Sequence, residues 1–274
     1  MKRFILPVSP DPDGMVRLYK DDFHYLARVR RLKPGMWFDA FSPGGKEMRL
    51  RVLSTEDSTL TGMCIENVEK TQARNLPPIV LFQGIAKGTK MDLIIRQAAE
   101  GAVSIVVPFE SEYSTVRLSK DASGMNSREI NSREKNSAGK SKRWERIIRE
   151  ARQQSGSAVD TKIMPSCDLN SMLTIWESLK KDYTKPLGIL LHHEALENGT
   201  FHNYLVNYPD LVALAVGPEG GFSPKELPFL LAAGFKPIFM GNTVLRTETA
   251  ALYGTAAIRI ILLESETWMS DLKD

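Results

Sequence analysis

Cysteine is almost absent from this 274-residue chain: Cys64 and Cys167 are the only two, 103 positions apart. They form no Cys-x-x-Cys pair, zinc spacing or disulfide framework, so both read as buried thiols and redox chemistry is not indicated. Long apolar runs are missing too. The longest, such as Leu211–Val216, stop at about six residues, far below the roughly 20 that a bilayer-spanning helix needs. The first residues, Met1 to Pro7, are basic and then briefly apolar, shorter than a signal-peptide core and with no small-residue cleavage site after them. The expectation is a cytoplasmic protein. No Gly-x-Gly-x-x-Gly occurs, and the segment Gln83 to Lys90 lacks the spacing and the Gly-Lys-Ser/Thr order of a P-loop. Neither NAD nor ATP is indicated.

A net charge of +3 hides an uneven distribution. Residues 1–51 hold 11 Lys and Arg against 6 Asp and Glu, and residues 117–152 hold 11 against 5, which leaves the rest of the chain acidic. Clustered cations release counterions from a phosphate backbone, so two basic regions on an acidic body suit a nucleic-acid partner. A solvated charged surface is the alternative.

Residues 1–70 read as a small β-rich module. Trp37 to Phe41, a Ser-Pro-Gly-Gly turn, and Met48, Leu50 and Val52 alternating with Arg49 and Arg51 give one apolar and one basic face. A helix is expected over residues 21–31, closed by Pro34-Gly35. Polar residues 71–78 end in Pro77-Pro78 and read as a linker. After it, short apolar runs at 79–82, 103–107, 187–191, 211–216 and 237–240 alternate with helical patterns near 91–100, 144–154, from Ser223, and 248–263. Strands covered by helices on both faces have this signature, so residues 79–274 are expected to form an α/β domain around a mainly parallel sheet. The Ser-, Asn- and Lys-rich stretch 119–142, with its near-repeat Asn-Ser-Arg-Glu, buries too little apolar area to offset its ordering entropy and is expected to be a mobile loop.

Two glycine-bearing loops at strand ends carry the chemistry. Gly217-Pro218-Glu219-Gly220-Gly221-Phe222-Ser223 leaves the 211–216 strand and enters a helix whose start is specified by a Ser223/Glu226 capping box, with Pro224 at the first helical position. Its glycines let main-chain amides approach a ligand with no Cβ in the way. The second loop, Met240 to Ala251, again joins a strand end to a helix, with Thr247 as N-cap and Glu248 at the positive end of the helix dipole.

These loops, the second over Leu245-Arg246-Thr247-Glu248-Thr249-Ala250, resemble those of the bacterial 16S ribosomal RNA uridine-N3 methyltransferases of the SPOUT superfamily. Shorter matches lie at Lys87-Gly88, Met91-Asp92, Ser111-Glu112, Arg143-Trp144 and Gln154-Ser155. Lys2-Arg3-Phe4 and residues 24–31 look like that family's PUA-like RNA-binding domain. The likeness spans nearly the whole chain, with departures at Arg30, Gln97, Gly101-Ala102 and Ser157.

The resemblance implies a PUA-like β-barrel followed by a SPOUT α/β domain whose C-terminal chain forms a trefoil knot, acting as a homodimer on 16S ribosomal RNA or the small ribosomal subunit. It implies S-adenosylmethionine as cofactor, held by Leu191, His192, Gly217, Glu219, Gly220, Gly221, Met240, Gly241, Leu245, Arg246 and Thr247. The implied reaction is methylation of N3 of a uridine near the decoding centre. Arg246 is the candidate for stabilising charge on the uracil oxygens, and Glu219 or Glu248 for taking the N3 proton. Arg3, Arg31, Arg49 and Arg51 are candidate RNA contacts. A non-catalytic RNA-binding or ribosome-assembly protein with the same fold is the competing reading. His192-His193-Glu194 invites a metal, but strand neighbours point to opposite faces and no third spaced ligand appears, so loop lining or core is the better reading and no metal is expected. Trp37, Phe38 and Phe41 are read as core of the small module rather than as a base-stacking set.

Overall fold

The computed structural model describes residues 4–66, 76–115 and 127–271, with side chains left undescribed at Glu66, 127–138 and 266–271. Two compact units emerge, one drawn from Met1–Ala73 with Arg149–Asp160, the other from Arg74–Ile148 with Thr161–Asp274.

In the first unit, β1 (Phe4–Ile5), β2 (Met15–Tyr19), β3 (Trp37–Phe41), β4 (Glu47–Glu56) and β5 (Thr59–Glu66) form a sheet in the order β1-β3-β4-β5-β2. Only the β1–β3 pair is parallel. Alternation places Phe38, Met48, Leu50, Val52, Val16 and Leu18 in one core with Phe4, Leu26 and Leu60. Burying each large side chain is worth about 1.5–3 kcal/mol, which fixes the register, because a one-residue slip would turn the apolar set outward. Trp37 corrects the expectation of a wholly buried aromatic set. Phe38 and Phe41 are 1% exposed, whereas Trp37 is 41% exposed. The helix expected over 21–31 is a short α1 (Lys20–Phe23) that runs into a π-helical segment, His24–Val29. Asp22 is ion-paired with Arg149.

The second unit is built on seven strands: β6 (Ile79–Gly84), β7 (Ile105–Glu110), β8 (Lys162–Ile163), β9 (Cys167–Asp168), β10 (Pro186–His192), β11 (Leu211–Val216) and β12 (Phe235–Phe239). They pair in parallel, in the order β12-β10-β11-β6-β7-β8, with β9 also on β7. β6 and β11 are buried along their whole length, as strands covered on both faces must be. One face packs on α4 (Leu169–Lys180) through Phe82, Trp176 and Phe235, whose ring centroids lie 5.4–6.3 Å apart. α2 (Lys90–Glu100) and α7 (Thr247–Asp271) also pack on each other, and α7 contacts β11 and β6.

α4 adds a helix to those expected: Asp168 before an apolar periodic run is an N-cap signal, and its carboxylate accepts from the Ser171 N–H at 2.8 Å. Two helical expectations change. In the 119–142 stretch, residues 119–126 lie outside the described residues, while the backbone from residue 127 onward is helical as the start of α3 (Ser127–Ser155). Poor burial argued against a packed core, but Glu, Lys and Arg are good helix formers. The helix expected from Ser223 begins at Leu227 as α6 (Leu227–Ala232), with Pro228 rather than Pro224 in its first turn; residues 224–226 form a turn.

Candidate active site

Parallel pairing sets β12, β10 and β11 side by side, with Leu190 opposite Ala215 and His192 opposite Phe239, so their carboxyl ends open on the same edge. Ligands of open α/β sheets bind at that edge. The loops leaving these strands enclose a cavity of about 220 Å³. Leu191, His192, Gly217, Glu219, Gly220, Gly221, Met240, Gly241, Leu245 and Thr247 line it. Arg246 and Glu248 do not. Arg246 is exposed, and among the described residues nothing holds its side chain. Arg3 lies outside the described residues, and Arg31, Arg49 and Arg51 are exposed on the first unit.

The glycines are required by close approach. A Cβ on Gly217 would stand 2.8 Å from the Gly221 carbonyl carbon, and one on Gly84 2.5 Å from the Pro218 nitrogen, both backbone atoms with no room to move. Gly221 and Gly241 have φ of +71° and +95°, which L side chains rarely adopt.

Two anchors hold these loops, and neither was read from the sequence as more than local. The Thr247 hydroxyl donates to the Gly217 carbonyl at 2.6 Å and accepts from Gln83 Nε2 at 2.9 Å, tying α7 to the ends of β11 and β6. Gln83 also donates to the Gly84 carbonyl, and its buried Oε1 has no hydrogen-bond partner among the described residues. A glutamine closing the apolar 79–82 run was the available signal. The second anchor is Glu226. It forms the expected capping box, accepting from the Ser223 N–H at 2.8 Å while its own N–H donates to the Ser223 hydroxyl at 3.3 Å. The same carboxylate accepts from the Ser111 hydroxyl at 2.9 Å and the Glu112 N–H at 2.8 Å, which binds the glycine loop to the segment after β7.

Glu219 accepts from the Lys87 N–H at 3.1 Å and from Lys90 Nζ at 3.0 Å, and Lys90 also stands 3.8 Å from Glu248. Burial works to raise the Glu219 pKa, but the Lys90 hydrogen bond and charge, with backbone N–H groups, outweigh it and hold the carboxyl below its usual value. A carboxylate so stabilised is a poor proton acceptor at neutral pH.

His192 and His193 do not diverge as strand neighbours would. β10 ends at His192, the chain bends, and both rings line the cavity with centroids 4.4 Å apart. Burial lowers the His192 pKa, opposed by the Glu194 main chain. With the folded pKa below the unfolded 6.5, the stability this neutral ring supports is present above pH 6.5 and is lost as pH falls through the folded value. His192→Gln is therefore expected to flatten the fall in unfolding free energy as pH drops below 6.5. An unchanged slope in denaturant titrations would exclude His192 as its source. Among the described residues no group of three or more His, Cys, Asp or Glu side chains is placed to hold a metal ion.

A family model described as an RNA methyltransferase domain matches residues 74–133 and 124–259. The chain is 28% identical to ribosomal RNA small subunit methyltransferase E of Synechocystis over 94% of its length and 77% of that protein's. It is 30% identical to the Mesomycoplasma hyopneumoniae protein of the same name, over 69% of this chain and 73% of that one. A crystal structure of ribosomal RNA small subunit methyltransferase E from Neisseria gonorrhoeae, bound to S-adenosyl methionine, superposes with a TM-score of 0.73 at 25% identity, covering 95% and 98% of the two chains. With its glycine loops at the ends of adjacent parallel strands, the chain belongs to the RNA methyltransferase domain family, among relatives named ribosomal RNA small subunit methyltransferase E.

Proposed function

We propose that this protein binds S-adenosylmethionine at the strand-end cavity and methylates N3 of a uridine in 16S ribosomal RNA near the decoding centre. The observation that carries the reading is the convergence of three strand-end loops on one cavity with glycine main chain in its walls. Gly241 lines it, and among the described residues beyond its chain neighbours no atom lies within 4 Å of where a Cβ would stand, which suits a ligand read by backbone groups. The sulfonium of the bound cofactor supplies an electrophilic methyl group. Uridine N3 must lose its imide proton to become a nucleophile, and the negative charge then spreads onto the flanking carbonyl oxygens. Arg246, permanently charged and beside the cavity-lining Leu245 and Thr247, is assigned to those oxygens. Glu219 is assigned to tethering its loop through Lys87 and Lys90, leaving Glu248 as the carboxylate considered for the proton.

The reading extends to a PUA-like barrel for the first unit, a trefoil knot in the C-terminal chain, RNA contacts from Arg3, Arg31, Arg49 and Arg51, a cytoplasmic location and a homodimer. Exposed apolar side chains on α7, Leu252, Tyr253 and Ile260, favour a dimer. Two measurements test the function. Calorimetric titration is expected to show binding of S-adenosylmethionine and of S-adenosylhomocysteine. Incubation with labelled cofactor and undermethylated small subunits is expected to label 16S RNA at one uridine, read as a reverse-transcriptase stop because N3 lies on the pairing edge. RNA binding with neither cofactor affinity nor transfer would instead establish the non-catalytic RNA-binding reading.

A further inference from the structure

We infer that the outward face of the five-stranded sheet, centred on Trp37 between Arg49 and Arg51, is a platform on which an unpaired base of the RNA stacks. This rests on the RNA-methyltransferase reading and locates one RNA contact on the first unit.

Alternation along β3 sends Phe38 and Ala40 into the core and leaves the Trp37 indole outside, 41% exposed. The guanidinium carbons of Arg49 and Arg51 lie 5.7 and 5.9 Å from its ring centroid. Register explains the placement, since Trp37 pairs with Arg51 and Asp39 with Arg49. Arg51 pairs on its other side with Met63, and Met63 with Met15, so an apolar and cationic row crosses four strands. Asp39 stands 3.6 Å from Arg49 and takes up part of its charge, while among the described residues Arg51 has no carboxylate partner.

The exposed part of the Trp37 indole calls for a flat apolar ligand, and the two guanidinium groups over its ring, about 6 Å from the centroid, call for an anion beside that ligand. A nucleotide supplies both, its base on the indole and its phosphate to the arginines. Bases inside a duplex are already stacked on each other, so the fit is to single-stranded or looped-out RNA. An acidic peptide would satisfy the arginines and leave the indole without a flat partner.

The test uses the full chain and its Trp37→Ala, Trp37→Phe and Arg51→Gln variants, with a fluorescein-labelled unstructured oligoribonucleotide followed by anisotropy. Trp37→Ala is expected to weaken binding by at least about fivefold, and Trp37→Phe by much less. Arg51→Gln is expected to weaken it and to lower the salt slope by about one. In methyl transfer to undermethylated subunits the Trp37→Ala KM for subunit should rise while kcat holds, a split that damage to the fold would not give. Equal oligonucleotide affinity in wild type and Trp37→Ala overturns the platform, as does competition by oligoglutamate at the oligonucleotide's own concentration range. Should wild-type protein transfer no methyl group while its oligonucleotide binding still depends on Trp37, the platform stands and the methyl-transfer reading falls.

Discussion

Arg246→Ala is expected to slow methyl transfer to undermethylated small subunits by about 100-fold to 1,000-fold, the range found when one donor to a developing oxyanion is removed. The main chain on either side is held independently of this side chain: Leu245 lines the cavity, and the Thr247 hydroxyl is fixed to the Gly217 carbonyl. The Arg246 N-to-C backbone also continues into α7, its carbonyl accepting from the Ala250 N–H at 2.8 Å. Truncation therefore removes an exposed charge and its fork of donors, and thermal unfolding should match the wild type. Arg246→Lys keeps the charge without the planar fork and is expected to fall between the two. Wild-type rates in the alanine variant would reject the role assigned to this residue.

Glu226→Ala is expected to have the largest effect on stability. The carboxylate is 6% exposed and takes donors from three places: the Ser223 N–H, the Ser111 hydroxyl and the Glu112 N–H. Each buried donor left without an acceptor costs roughly 1–3 kcal/mol, so a loss of about 3–4 kcal/mol is expected after local relaxation. For a unit of this size that is a fall of roughly 10 °C in thermal midpoint. Cofactor affinity should fall as well, because the cavity-lining Gly217 to Phe222 segment then loses its tie to the residues after β7. Glu226→Gln retains one acceptor oxygen and sets an amide donor against the other group of donors, so it should lie between. A midpoint within about 2 °C of wild type in Glu226→Ala would show the anchor to be dispensable.

Much of the site was legible in the chain because it is specified by neighbours in sequence. The 211–216 run coincides with β11, the glycines around 217–221 stand where a Cβ would meet backbone, and the Ser223/Glu226 pair closes its capping box. Helix starts were harder: the capping box closes a turn, and α6 begins one residue beyond its glutamate. Trp37 was grouped with its strand neighbour Phe38 by aromatic character, whereas alternation along β3 turns the two to opposite faces and only Phe38 meets the core. His192 and His193 were set on opposite faces on the assumption of a continuing strand, and the strand ends between them.

Local sequence by itself determined the strand-glycine-helix units and the chemistry available to them, because backbone conformation, capping and burial periodicity act over a few residues. Tertiary structure alone decided that Glu226 would serve Ser111 and Glu112, that Gln83 would reach Thr247, and that the ends of β10, β11 and β12 would share one cavity. Those partners are more than 100 positions apart in the two hydrogen-bonded cases, and no periodic pattern records a pairing at that distance. Parallel strand order brings such groups together only after the chain has crossed the sheet several times.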